Sequence, residues 1–151
     1  MSVGSNPSAA VDCWVIMQYP AFDKFWHPGL LHKLKHFLPY SLFKILELYL
    51  SDRHYFVKVK NQSTNIHKIE SGVPQGSVLG PVLYTLYTSD LPLSQQTYTA
   101  TFADDTAIMA VNKNPDIASS ILQQSLDEIQ EWMKKWRIVA NENKSAHSLF
   151  L

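Results

Sequence analysis

The chain has 151 residues, enough for one domain with a real core, and its 46% apolar and 17% charged composition is globular rather than disordered. Thirteen basic residues balance thirteen acidic ones, so the net charge is zero; a grip on nucleic acid through the overall field is excluded, and any such grip is local or lies outside the chain. The single cysteine, Cys13, excludes an internal disulfide framework and suits a reducing, intracellular setting, and no apolar run approaches the roughly 20 residues of a membrane span.

Residues 1–10 are small and polar and lack the basic-then-apolar order of a secretory signal. Residues 13–19, Cys-Trp-Val-Ile-Met-Gln-Tyr, read as a buried strand stopped by Pro20. Pro28 suits a first helical turn, and Leu30, Leu31, Leu34, Phe37 and Leu38 predict an amphipathic helix over 28–38 that Pro39 ends. Ser41 offers a cap for a second helix, 42–50, whose apolar residues run nearly all round it; burial is expected. Tyr55 to Lys60 alternates as a strand, with Tyr55, Val57 and Val59 on one face. Asn61-Gln62-Ser63 is its turn and 66–70 its returning partner. Three glycines and two prolines between Ser71 and Pro81 make no regular element, and a short helix over 82–87 and a loop over 89–96 follow. Two short apolar, β-branched runs then flank Asp104-Asp105, which falls where they turn. Asn114 and Pro115 cap and open a long helix, 116–136. Its expected buried face is Ile117, Ile121, Leu122, Ile129, Trp132, Met133 and Trp136, and Glu131 is placed to pair with Lys135. Asn141 to Ser145 is a polar turn, and residues 146–151 begin another strand.

Adjacent aspartates at a tight turn repel each other, and a divalent cation such as Mg²⁺ relieves that repulsion because hard cations take carboxylate oxygens. Taken alone, the pair is better explained as a solvated hairpin loop. The glycine-rich turn Gly72-Val73-Pro74-Gln75-Gly76-Ser77 lets backbone approach a ligand closely, with Gln75 as an amide donor; a purely structural turn is its plain alternative. Phe22, just after a strand, is either a flat platform for a sugar or base or a core aromatic. Lys144 is either a proton donor or phosphate contact, or a solvated loop lysine.

The order of these segments carries more than any one of them. Ala21-Phe22-Asp23-Lys24-Phe25-Trp26-His27, then residues 72–81, then Phe102-Ala103-Asp104-Asp105 resembles the palm of a reverse transcriptase, most of all those of jockey-like non-LTR retrotransposons. Residues 136–145 are similar to that family's next motif, so the likeness runs from about Ala21 to the end. The resemblance implies an α+β fold: a palm-type antiparallel sheet backed by helices, truncated, with the fingers incomplete and the thumb absent. It sets residues 1–20 apart as a divergent segment and makes 21–151 a partial palm.

The same resemblance implies an RNA-directed DNA polymerase that adds dNTPs to a DNA primer on an RNA template with two Mg²⁺ ions. Asp104 matches a metal ligand and Asp105 its partner, both catalytic. Phe22 matches the aromatic gate beneath the sugar. Pro74, Gln75 and Gly76 match the loop against the incoming nucleotide, and Lys144 matches the proton donor to pyrophosphate.

The sequence departs from the family at the first motif, where a further metal-binding aspartate precedes the alanine by four residues. Counting back from Ala21 lands on Met17, whose neutral thioether is no substitute for a carboxylate on Mg²⁺. Asp12 lies five residues further upstream, roughly 16 Å along an extended strand, beyond a small shift. The chain alone is therefore expected to be inactive. A competing expectation is a degenerate remnant acting as an RNA- or protein-binding module. A metal-dependent hydrolase lacks a third acid or a histidine cluster at suitable spacing; His32 and His36, four apart on a helix, have no partnering acid. No sequence signal separates nucleus from cytoplasm.

Overall fold

The structure, a computed structural model, describes residues 11–18, 26–69, 71–73 and 76–150. In chain order the elements are β1 (Val11–Gln18), α1 (His27–Phe37), α2 (Tyr40–Leu50) and four two-residue strands, β2 (His54–Tyr55), β3 (Lys58–Val59), β4 (Gln62–Ser63) and β5 (His67–Lys68). They continue as α3 (Leu79–Thr88), β6 (Tyr98–Phe102), β7 (Asp105–Asn112), α4 (Pro115–Trp136), a 3₁₀ turn at Glu142–Lys144 and β8 (Ala146–Phe150). Two compact units divide them, one of residues 1–20 and 91–151 and the other of 21–90.

The first unit is an antiparallel sheet in the order β6-β7-β1-β8 with α4 on one face. Residues 11–18, inside the segment set apart from the sequence, supply an interior strand. β1 pairs with β7 from Val11–Asn112 to Gln18–Asp105, and with β8 from Asp12–Phe150 to Ile16–Ala146. Strand alternation sends Cys13 and Met17 of β1, with Ile108 and Ala110 of β7, to the same face, where they meet Ala118, Leu122 and Ile129 of α4. The helix forms where expected because Asn114 accepts hydrogen bonds from the amides of Asp116 at 2.8 Å and Ile117 at 3.4 Å, with Pro115 behind it.

The buried stripe of α4 keeps Leu122, Ile129, Trp132 and Trp136 of the expected face, and Ile121 and Met133 are partly buried against the core. In full the stripe is Ala118, Leu122, Ser125, Ile129, Trp132 and Trp136, a regular series of three- and four-residue steps, while Ile117 is exposed. Small Ala118 and Ser125 let the helix axis approach the sheet, which a reading weighted toward large side chains passes over. Glu131 pairs with Lys134 at 2.7 Å rather than with Lys135, whose ammonium lies 5.1 Å from the Trp136 ring centre.

In the second unit α1 packs against α2 and α3. Its buried apolar residues are Leu30, Leu34, Phe43, Leu50, Val73, Leu83 and Tyr87. Lys33 is buried among them, and its ammonium donates to the Tyr87 carbonyl and the Asp90 carboxylate, so the buried charge has oxygen partners. α2 corrects two expectations. It starts at Tyr40 after Pro39, which places Ser41 inside the first turn with no side-chain cap. It buries only Phe43 and Leu50, while Tyr40, Leu42, Ile45 and Leu48 are exposed, Leu48 at 73%. A helix apolar all round is buried only where two sides are covered, and here one is.

The strand expected over 55–60 divides into β2 and β3, which pair with β5 and β4. Phe56 and Val57 lie between them, and Val57 exchanges bonds with Thr64: its amide donates to Oγ1 at 3.0 Å and its carbonyl accepts from the Thr64 amide at 2.9 Å. The turn falls at Lys60, with φ 54°, and Asn61. α3 opens three residues ahead of the expected start, so Pro81 sits in its first turn, where a missing amide costs no helical hydrogen bond.

The burial contrast between the two helices sets a stability test. Leu122→Ala should lower unfolding stability by about 2–5 kcal/mol through the cavity it leaves. Leu48→Ala should change it by no more than about 0.5 kcal/mol. Urea unfolding of the whole chain checks both.

Candidate functional site

The acidic pair lies at the end of the first unit's sheet. Phe102 pairs with Asp105 to close the β6–β7 hairpin, and Ala103 and Asp104 form the turn between them. Ala103 takes a left-handed φ of 49°, which a small side chain tolerates at modest cost. Asp104 is half-buried and Asp105, the first residue of β7, is exposed. Among the described residues neither carboxylate pairs with a lysine, arginine or histidine, so the mutual repulsion of the two has no protein cation against it.

Lys144 comes to the same end of the sheet. The Asn141 amide donates to the Gln18 carbonyl at 2.8 Å and the Lys144 amide to the Asn141 carbonyl at 3.1 Å, so the turn carrying Lys144 is tied to the last residue of β1. The Lys144 side chain itself is exposed. The residues of β1 that face the start of β7 are Gln18, opposite Asp105, and Met17, opposite Thr106. One offers a neutral amide and the other a thioether.

The glycine-rich segment belongs to the second unit. Phe22, Pro74 and Gln75 lie outside the described residues, but the chain on both sides of residues 74–75 is placed. Upstream, Trp26 bridges to Ser71, and His27 Nε2 donates to the Gly72 carbonyl at 2.7 Å. A carbonyl only accepts, so Nε2 carries the hydrogen. Downstream, the Tyr49 hydroxyl and Ser77 Oγ are 2.8 Å apart, and Ser77 Oγ accepts from the Leu79 amide at 3.2 Å. Gly72 and Gly76 take φ of 80° and 81°, a region that side chains disfavour, and Gly76 is exposed with open space around it. Gly29 answers a different need: an added Cβ there would stand 2.5 Å from the Trp26 ring.

His27 and Tyr49 were missed as functional candidates in the sequence. A histidine five residues after Phe22, directly ahead of a proline, is the available signal for the first. Nothing local marks the second.

The profile of the family described as reverse transcriptase (RNA-dependent DNA polymerase) matches residues 16–149. The chain belongs to this family. It is 39% identical, over 96% of its length, to the RNA-directed DNA polymerase from the mobile element jockey of Drosophila melanogaster. It is 39% identical, over 93%, to the jockey polymerase of Drosophila funebris. A probable RNA-directed DNA polymerase from transposon BS of Drosophila melanogaster is 36% identical over 86% of the chain. The chain spans 17%, 16% and 15% of the length of these three relatives.

Among solved structures, the reverse transcriptase chain is similar to apo telomerase from Candida tropicalis, with a TM-score of 0.67 at 13% identity, over 96% of this chain and 32% of that one. Telomerase from Candida albicans, in complex with a fragment of telomeric RNA, gives 0.66 at 14% identity, over 91% and 27%. The antiparallel sheet with α4 on one face is therefore the palm-type α+β fold that the motifs imply. Among the described residues no helix is long and apolar enough to cross a membrane.

The residues present do not fit the two magnesium ions that the family resemblance implies. Among the described side chains, Asp104 and Asp105 are the carboxylates placed at this end of the sheet, Gln18 and Met17 stand where β1 meets the start of β7, and no three His, Cys, Asp or Glu gather to hold a metal ion.

The anchor of the glycine-rich segment is open to direct test. His27→Ala leaves the buried Gly72 carbonyl without its donor, at a cost of about 1–3 kcal/mol. Hydrogen exchange over residues 71–77 should then quicken at least about fivefold. Unchanged exchange there would mean that His27 does not hold the loop.

Proposed function

We propose that the chain is the palm segment of a jockey-type non-LTR retrotransposon reverse transcriptase whose full-length parent adds dNTPs to a DNA primer on an RNA template. The observation that carries this reading is the Asp104-Asp105 turn at the end of a palm-type antiparallel sheet, within a segment that matches the family over residues 16–149. In the parent, Asp104 and Asp105 are assigned to the metal-holding acidic turn, Phe22 to the gate beneath the sugar, and Pro74, Gln75 and Gly76 to the nucleotide-facing loop. Lys144 is assigned to proton supply at the leaving pyrophosphate. The clamped flanks of residues 74–75 support a positioning role for the loop, because a nucleotide contact made through backbone needs that backbone held.

This chain by itself does not polymerise. Gln18 and Met17 opposite the acidic turn support that conclusion, and they favour a non-catalytic remnant, binding RNA or protein through the palm surface, as the second reading for the isolated chain. A zero net charge agrees with weak duplex affinity.

The expected result of a primer-extension assay with RNA template, DNA primer, dNTPs and Mg²⁺ is no product above background. Extension that disappears on Asp104→Ala would sink the claim of inactivity.

A further inference from the structure

We infer that the hairpin over residues 53–69 is an arm that binds single-stranded RNA. The choice of RNA rests on the polymerase reading of the chain; the affinity for a polyanion comes from the hairpin's own charge and surface.

Charge in this chain is balanced overall but not locally. Arg53, Lys58, Lys60 and Lys68 stand between residues 53 and 69, together with His54 and His67, and no aspartate or glutamate is among them. Four of the chain's 13 basic residues and none of its 13 acidic ones lie here, so the remainder is net acidic. Among the described residues no carboxylate pairs with Lys58, Lys60 or Lys68.

Residues 54–68 are exposed throughout. Tyr55 is 50% exposed, Phe56 57% and Val59 65%, so aromatic and aliphatic side chains lie in solvent between the lysines. The arm is nonetheless ordered. Tyr55 stands opposite His67 with the ring centres 5.5 Å apart, and Lys58 stands opposite Ser63. At the base the Ile69 amide donates to the Arg53 carbonyl at 2.8 Å, and the Arg53 guanidinium lies 5.4 Å from the ring centre of Tyr49 on α2.

A two-stranded ribbon bare on both faces gains little stability from its aromatic residues. Their use is in what they meet. Lysines take phosphates, and exposed rings take the faces of unpaired bases, which a duplex hides. Asn61, Gln62, Ser63, Thr64 and Asn65, at and after the turn, add amide and hydroxyl groups suited to a ribose 2′-hydroxyl. A protein partner covering Tyr55, Val59 and Ile66 would bury the neighbouring cations without counter-charges. A single-stranded polynucleotide satisfies the rings and the cations together.

Fluorescence anisotropy of a labelled, unstructured RNA of about 12 nucleotides, titrated with the whole chain, reads the affinity. The triple variant Lys58→Glu, Lys60→Glu, Lys68→Glu should bind at least about tenfold more weakly, and the slope of log affinity against log salt should flatten by about 2. The triple variant Lys35→Glu, Lys113→Glu, Lys135→Glu makes the same change in net charge at exposed positions outside the arm, and it should lose no more than about threefold. Phe56→Ala should lose at least about fivefold and Phe56→Trp should keep the affinity. Every one of these sites is exposed, so the urea midpoints should match that of the unsubstituted chain. Equal losses for the two triple variants, or no loss for Phe56→Ala, overturn the inference.

Two further comparisons decide the ligand. Single-stranded DNA of the same sequence should bind at least about threefold more weakly, and phosphatidylserine vesicles should not retain the chain. Equal affinity for DNA, or retention on the vesicles, overturns the assignment to RNA. RNA carrying thiouridine should photocrosslink within residues 53–69, and crosslinks confined to other segments overturn the arm. None of these readouts is polymerisation: primer extension by the unsubstituted chain would overturn the claim of inactivity without touching the arm, and a failed arm would leave the assignment of the acidic turn in place.

Discussion

The antiparallel ladder between β1 and β7 is the constraint on which the palm unit depends. It fixes which side chains meet α4 and which remain on the open face, because side chains alternate and the two strands must agree on one parity. Cys13, Met17, Ile108 and Ala110 go under the helix, and hydrophobic burial there locks the register. The acidic turn inherits its orientation from that lock. Asp105 faces outward because Thr106 and Ile108 face inward. The chemistry at the end of the sheet is thus set by packing several residues away.

The second unit uses different means. Its glycine-rich segment has no ladder to hold it, so single polar contacts take over: a histidine at a carbonyl on one side, a tyrosine at a serine on the other. Each is individually modest, of the order of 1 kcal/mol net. Both come from helices, α1 and α2, whose own positions are set by buried leucines and Phe43. The loop is as well placed as those helices are.

Legibility in the sequence followed the range of the interaction. The Asn114 cap acts across two or three residues, and it was read correctly with the helix it starts. The strand–acid–strand unit was also local, although the turn proved to hold Ala103 and Asp104 with Asp105 already in the strand. Long-range matters were hidden. His27 reaches Gly72 across 45 residues of sequence, and no local pattern announces it. The burial of α2 was misjudged because composition reports what a helix could bury, not whether anything covers it. Most of the α4 face is legible in the sequence, but Ala118 and Ser125 are not: they matter by being small, and smallness carries no weight in a count of large apolar residues. The motifs gave the family, but a motif is a string, and the face on which each of its residues lies is a property of pairing.

β6 is an outer strand of the palm sheet, with β7 as its one neighbour among the described residues, and Tyr98 and Phe102 stand exposed along it. Its sequence, Tyr-Thr-Ala-Thr-Phe, carries no charge and no proline, the usual guards of a free edge. In a cell this makes the segment a liability before it is anything else: an unguarded, β-prone edge recruits further copies or chaperones. Any protein that contains this strand therefore stays in solution only if something covers the edge, whether another part of the same polypeptide or another molecule.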